Sequence, residues 1–176
     1  ALSLVYAVAF ISLAVQAKGL WGERGILPIG GLFKAVEKET SVERYVHFPS
    51  LFWFDSSDKV IVGAAWVGAM AALLAAIGIA QGWMLFVCFV LYLSFVTAGQ
   101  EFMGFQWDAL LCEVGFLTLF AVPWTFSWQL TSVMEPHPWL RYVFYLVLFK
   151  LMFLSGVVKL LSGDESWRDL TAMTYH

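Results

Sequence analysis

The chain has 176 residues, of which 61% are hydrophobic and only 13% charged, with a mean hydropathy of +0.78; soluble domains carry about 25% charged residues. That balance excludes an ordinary water-soluble fold and points to the bilayer as solvent. Ten basic and thirteen acidic residues give a net charge of −3 without a basic run or stripe, which excludes the phosphate-neutralising surface that a nucleic-acid partner requires.

A helix crossing the roughly 30 Å hydrocarbon core takes about 20 apolar residues, and five stretches approach that length. Residues 1–16 are uncharged. They lack the basic n-region and cleavage site of a signal peptide, and with no starting Met they are expected to begin inside a first span. The second span, 60–80, is uncharged and carries Ala64, Gly68, Ala72 and Ala76 at i, i+4 spacing, a small-residue stripe that lets another helix approach closely. Gln81 and Gly82 are read as a minimal break before the third span, 82–98, and so short a connection makes spans two and three an antiparallel hairpin. The fourth, 107–123, carries Asp108 and Glu113; the fifth, 139–161, carries Arg141, Lys150 and Lys159. The fold expected is all-α, a polytopic transmembrane helical bundle of about five spans with interfacial helices, forming a single domain.

Between the first two spans lies a segment, 17–59, with glycine-rich turns and the aromatic cluster Leu51, Phe52, Trp53 and Phe54. From Gly31 to Phe48 apolar and charged residues alternate closely, as in helices lying in the headgroup plane. Asp55, Ser56, Ser57 and Asp58 supply side-chain acceptors where the second span needs an N-cap.

Counting five crossings places segment 17–59, the turn 97–106 and the tail after Leu161 on one side of the membrane, face one. The opposite side receives only the Gln81–Gly82 break and the loop 124–138, whose single acid is Glu135. Charge inside a bilayer is costly and marks function or a structural tie, so the polar side is where a site is expected. At about 1.5 Å per residue, Asp108 lies just inside face one, Lys159 about 5 Å in, Glu113 about 9 Å in and Lys150 about 18 Å in. Asp108 is expected to pair with Lys159, and Glu113 with Lys150, as ties between the fourth and fifth spans.

Cys88 and Cys112 sit in apolar runs without CxxC spacing and are read as inert, buried thiols. His47, His137 and His176 are far apart in sequence, so no metal site is expected. No GxSxG or Walker sequence occurs, and neither a catalytic centre nor a cofactor is expected.

Four stretches resemble the lipase maturation factor family: GFQWDALLCEVGFL (104–117), FKLMFLSGVVKL (149–160), GDESWRDLTAMTYH (163–176) and, more loosely, GLWGERGILP (19–28). The resemblance marks Trp107, Asp108, Glu113, Gly115, Gly156, Lys159, Trp167, Asp169, Leu170, Thr171, Tyr175 and His176, with Lys150 and Arg168 inside the same motifs, and attaches no catalytic role to them. Cys112 departs from the family, which has an aliphatic residue there. The family continues beyond TYH, which leaves the expected client-binding part outside these residues. The resemblance implies a polytopic factor that assists folding and assembly of newly made secreted proteins such as lipases. Its membrane would be that of the endoplasmic reticulum in a eukaryote or the plasma membrane in a bacterium.

FKLMFLSGVVKLLSGDESW is also similar, more distantly, to the vitamin K-dependent carboxylase and its bacterial transmembrane relatives, which implies an enzyme alternative with Lys159 as a desolvated base. A transporter would need a polar path across the bilayer instead of polar groups gathered at one side. Orientation draws two opposed expectations. Six basic residues in 17–59 place face one in the cytoplasm by the positive-inside rule, whereas the resemblance places it on the lumenal side. The six acids in the same segment weaken the first, and the second is adopted.

Overall fold

The structure, a computed structural model, describes residues 1–39, 44–126, 128, 137–169 and 171–174. It divides into two compact units, Ala1–Glu135 and Pro136–His176. Regular structure among the described residues is helical, with one isolated antiparallel bridge between Ile79 and Trp128.

Unit one is built on three long helices, α1 (Leu2–Trp21), α4 (Asp58–Ala76) and α5 (Gln81–Ala98), each long and apolar enough to cross a membrane. Helix α1 runs past the expected end of the first span, because Ala17 to Trp21 continue the helical pattern and only Gly22, in extended conformation, stops it. It packs along α4, and the Phe10 ring, fully buried, fills the space beside Gly68: a β-carbon there would stand 2.5 Å from it. Of the expected small-residue stripe, Gly68 and Ala72 are buried, and the other buried residues of α4 are Ile61, Ala65, Ala69, Ala71 and Ala75. Small side chains suit this role because attraction between helices in lipid comes from close van der Waals contact. The Cys88 thiol of α5 donates to the Gly68 carbonyl over 3.7 Å, so α1 and α5 both meet α4 at that level.

The hairpin between the second and third spans is present, but its turn is Ile77 to Ala80, not Gln81–Gly82. Gly78 and Ala80 take positive φ of 85° and 43°, which breaks the helix before Gln81. Gln81 and Gly82 then begin α5. The Gln81 side chain donates back to the Ala75 carbonyl at 3.4 Å, and the Gly82 N–H donates to the Pro123 carbonyl at 3.3 Å.

The expected fourth span is shorter than the hydropathy indicates. Helix α6 covers Gln106–Thr118, 13 residues, about 20 Å at the α-helical rise. After Thr118 the N–H groups of Leu119, Phe120 and Ala121 bond to carbonyls three residues back, a tighter winding that ends the helix before Pro123. The polypeptide stays apolar through Val122, which is why composition alone extends the span.

Residues 22–39 and 44–57 fold over one end of this bundle. Helix α2 (Ile29–Glu39) buries Ile29 and Phe33 and exposes Lys34, Glu37 and Lys38; its apolar side is turned into the protein, with Phe33 stacked on Trp53 at 4.1 Å. The short α3 (Arg44–His47) and the 3-10 turn Leu51–Trp53 follow. Asp55 to Asp58 do stand at the start of α4, yet none of their side chains caps it. The Asp58 carboxylate accepts from the Glu23 N–H at 2.7 Å and the Asp55 carboxylate from the Ser57 N–H at 2.8 Å. The first bond ties the beginning of α4 to the end of α1, a better use of a carboxylate than capping its own helix when two antiparallel ends must be held level.

Unit two consists of α7 (Pro138–Leu161), 24 residues long and the fourth helix able to span a membrane, followed by the single turn α8 (Glu165–Arg168). Pro138 at the first helical position suits a helix start. Asp164 caps α8 by accepting from the Ser166 N–H at 3.0 Å. Hydrogen bonds from the hydroxyl and N–H of Ser166 hold the Asp164 carboxyl below its ordinary pKa.

Candidate functional site

Of the three parts expected at face one, segment 17–59 and the turn 97–106 belong to unit one, and the tail after Leu161 belongs to unit two. Trp21, at the end of α1, donates its indole N–H to the Gly99 carbonyl beyond α5 at 3.1 Å, and Gln100 reaches the Leu27 carbonyl at 3.4 Å. Ser50 and Leu51 bond to Ser94 near the end of α5. The segment 17–59 and the turn 97–106 therefore share one end of the bundle, as the crossing count required.

Asp108 enters the protein at this end, in the first turn of α6, and is only 5% exposed. The hydroxyl of Tyr92, on α5, donates to its Oδ1 at 2.6 Å, a length typical of a charge-assisted O–H···O bond. A tyrosine inside an apolar span needs a partner for its hydroxyl, and a buried acid needs a donor; each meets the other's need. The Tyr92 ring is held edge-on by Tyr6 and by Phe10, at 5.7 and 5.6 Å between centroids. Tyr6 crosses from α1 to α6, where its hydroxyl donates to the Leu111 carbonyl at 3.1 Å. That hydroxyl lies where a β-carbon on Gly115 would stand. The glycine in LLCEVGF thus has a physical cause: only a residue without a side chain lets Tyr6 reach the α6 backbone.

Trp107, next to Asp108, points outward, 65% exposed and stacked on Phe105 at 4.7 Å. Glu113 is half-buried on α6. Cys88 is buried and Cys112 half-buried, both as free thiols. In unit two, Lys150 and Lys159 are exposed on α7, and the Lys159 ammonium lies 4.6 Å from the centre of the Trp167 ring, within the range of a cation–π contact. Arg168 and Asp169 are exposed, and the Asp169 and Thr171 N–H groups close the α8 turn onto Glu165 and Ser166. Leu170, Tyr175 and His176 lie outside the described residues, as does Glu135. The two ties expected between the fourth and fifth spans, Asp108 with Lys159 and Glu113 with Lys150, pair a residue of unit one with a residue of unit two. Within the units the partners are Tyr92 for Asp108 and Trp167 for Lys159, and neither was anticipated from the sequence.

At the same end, α2, the aromatic turn and residues 54–57 enclose a cleft of about 620 Å³. Its walls combine Phe33, Trp53 and Phe54 with Glu23, Lys34 and Asp55. Among the described residues no group of three or more His, Cys, Asp or Glu is placed to hold a metal ion. The arrangement is one of anchoring and contact: aromatic surface, a buried acid–hydroxyl pair, and an open cleft.

A family model described as the lipase maturation factor transmembrane domain matches residues 1–176. The chain belongs to the lipase maturation factor family. Lipase maturation factor 2 of Xenopus laevis is 39% identical over 189 residues, which cover 99% of this chain and 26% of the relative. Lipase maturation factor 1 of Bos taurus is 32% identical over 187 residues, covering 100% of this chain and 33% of the relative. The human lipase maturation factor 1 is 31% identical with similar coverage, 100% and 32%. This lipase maturation factor domain therefore spans between a quarter and a third of the length of the curated relatives it matches. No solved structure matches the chain. The more distant carboxylase resemblance finds no support in these relatives, all of which are named as maturation factors.

Proposed function

We propose that this chain is the membrane-embedded part of a factor that assists the maturation of newly made secreted lipases, working without catalysis. The observation that carries the reading is the match of all 176 residues to the family's transmembrane domain, together with relatives that bear the maturation-factor name. The end of the bundle where segment 17–59, Trp107 and Asp108 come together is the surface offered to the client. Exposed aromatic and mixed-charge side chains around the 620 Å³ cleft suit contact with an incompletely folded polypeptide, since aromatic side chains give large contact area and a polar rim tolerates water. In a eukaryotic cell the membrane is that of the endoplasmic reticulum and this end faces the lumen; in a bacterium it is the plasma membrane.

The test is depletion of the full-length protein from its own cells, with secreted lipase activity and secreted lipase mass measured separately. The expected result is a fall in activity per unit mass, restored by the wild-type protein and not by a variant carrying Trp53→Ala and Phe54→Ala in the cleft. Unchanged specific activity after depletion would overturn the lipase assignment. Full restoration by the cleft variant would move the client surface elsewhere.

A further inference from the structure

A second hollow of about 700 Å³ runs along α1 beside the Tyr92–Asp108 pair, within the usual 300–1,000 Å³ range of ligand pockets. On α1 it extends from Leu4 to Trp21, about 26 Å at the helical rise, and it closes at face one with Phe105, Trp107 and Asp108. The lining is apolar along its length, with Ser12 and Gln16 bonded to each other, and it holds one acid and no base. Asp108 is nearly fully buried in this wall, yet only its Oδ1 is used, by Tyr92; no second donor to it occurs among the described residues of this unit. A buried acceptor oxygen left without a donor is rare in folded proteins and calls for a partner.

We propose that this groove binds a single-chain, phosphate-free amphiphile of the monoacylglycerol kind, its hydroxyl head donating to Asp108 and its acyl chain lying along α1. The direction follows from the lining: the polar end is at face one, where a lipid head sits, and the apolar walls continue from there along the depth of the span. The absence of phosphate follows from charge, because a phosphate beside Asp108 would face a carboxylate with no base to offset it. The groove meets the cleft at Trp21, and its Trp107 and Asp108 lie at the end offered to the client; lipid labelling and lipase activity are read separately, so either reading can fail without the other.

The experiment uses the purified full-length protein in nanodiscs and a photoactivatable monoacylglycerol, with the labelled residues mapped by mass spectrometry. Labelling is expected at Val5, Ala9 and Leu13 and between Phe102 and Leu111, and monooleoylglycerol should compete at least about tenfold better than the lysophosphatidic acid of the same chain. Asp108→Asn, which keeps an acceptor for Tyr92, should bring the two competitors level. Val8→Trp at the exposed rim should block labelling without disturbing the core. Labelling that is equally strong at Ile11 and Val15, outside the groove, would reduce it to ordinary boundary lipid. Equal competition by the phosphate lipid in the wild type would overturn the assignment. Recovery of an Asp108→Ala folding defect by Lys159→Met would give the carboxylate to an ion pair instead.

Discussion

Gly115 offers a sharp test of the packing that positions Asp108. A β-carbon placed there would collide with the Tyr6 hydroxyl, which is committed to the Leu111 carbonyl. Gly115→Ala should therefore cost about 1–3 kcal/mol, the usual penalty for forcing an extra methyl into a filled site. In a Tyr6→Phe background the oxygen is gone, and the nearest remaining atom, the ring Cζ, would stand 3.1 Å from the new methyl, a contact relieved by a shift of tenths of an ångström. Tyr6→Phe itself forfeits one hydrogen bond, about 0.5–1.5 kcal/mol. The helix-propensity gain of alanine over glycine, about 1 kcal/mol, is the same in both backgrounds and cancels in the double-mutant cycle. The two substitutions should then be less damaging together than their sum by about 1–2 kcal/mol, well beyond the 0.3–0.5 kcal/mol scatter of independent sites. The assay is reversible unfolding of the full-length protein in mixed micelles, followed by tryptophan fluorescence. Additive costs would refute the claim that Gly115 exists to admit Tyr6.

Tyr92→Phe should destabilise the protein by about 1–3 kcal/mol, because it leaves the buried Asp108 without its donor, and the same unfolding assay measures it. Gly68→Leu should prevent α1 from docking on α4 at Phe10, whereas Gly63→Ala, with no neighbouring atom within 4 Å, should be neutral or slightly stabilising; size-exclusion profiles after graded heating separate them. Cysteines introduced at Glu23 and Gln100 should react with an impermeant maleimide from one side of sealed vesicles and a cysteine at Trp124 only from the other. Labelling of Glu23 and Gln100 from opposite sides would dissolve face one. Asp164, whose carboxyl is held below its ordinary pKa by Ser166, should stabilise the α8 turn above about pH 4, the value of a free aspartate, and lose that contribution as pH falls through its own lower value. Trp167 fluorescence in an isolated α7–α8 peptide reports it, and Asp164→Asn should flatten the profile.

Three of the long helices were legible because a run of apolar residues near membrane thickness has few other outcomes, and α7 was legible despite its lysines for the same reason. The shortness of α6 was not, since Leu119 to Val122 are as apolar as the helix they follow and the change to tighter winding leaves no trace in hydropathy. The hairpin turn was displaced because Gln81 is polar and Gly82 flexible, the usual marks of a turn, while the residues that bend the chain are Gly78 and Ala80, the second an alanine in a conformation it seldom takes. Asp108 could be found as an acid in an apolar setting. Its partner could not, because Tyr92 reads as one more aromatic in a span; the available signal was that a phenol placed there needs an acceptor, and the next acid on the following helix is Asp108. The stripe in α4 was readable to within one helical step, since small residues fill that helix on more than one side and only contact with Phe10 selects among them.

The four-residue link between α4 and α5 also constrains how the protein is made. Two apolar helices joined so tightly cannot be released into lipid one after the other with a loop of water-exposed chain between them, so they leave the translocation machinery as a pair. The packed side of α1 waits for that pair: Phe10 has nothing to close on until Gly68 arrives, and Trp21 has no carbonyl to bind until Gly99 has been synthesised. Helix α1 is thus made before the residues that fix its place.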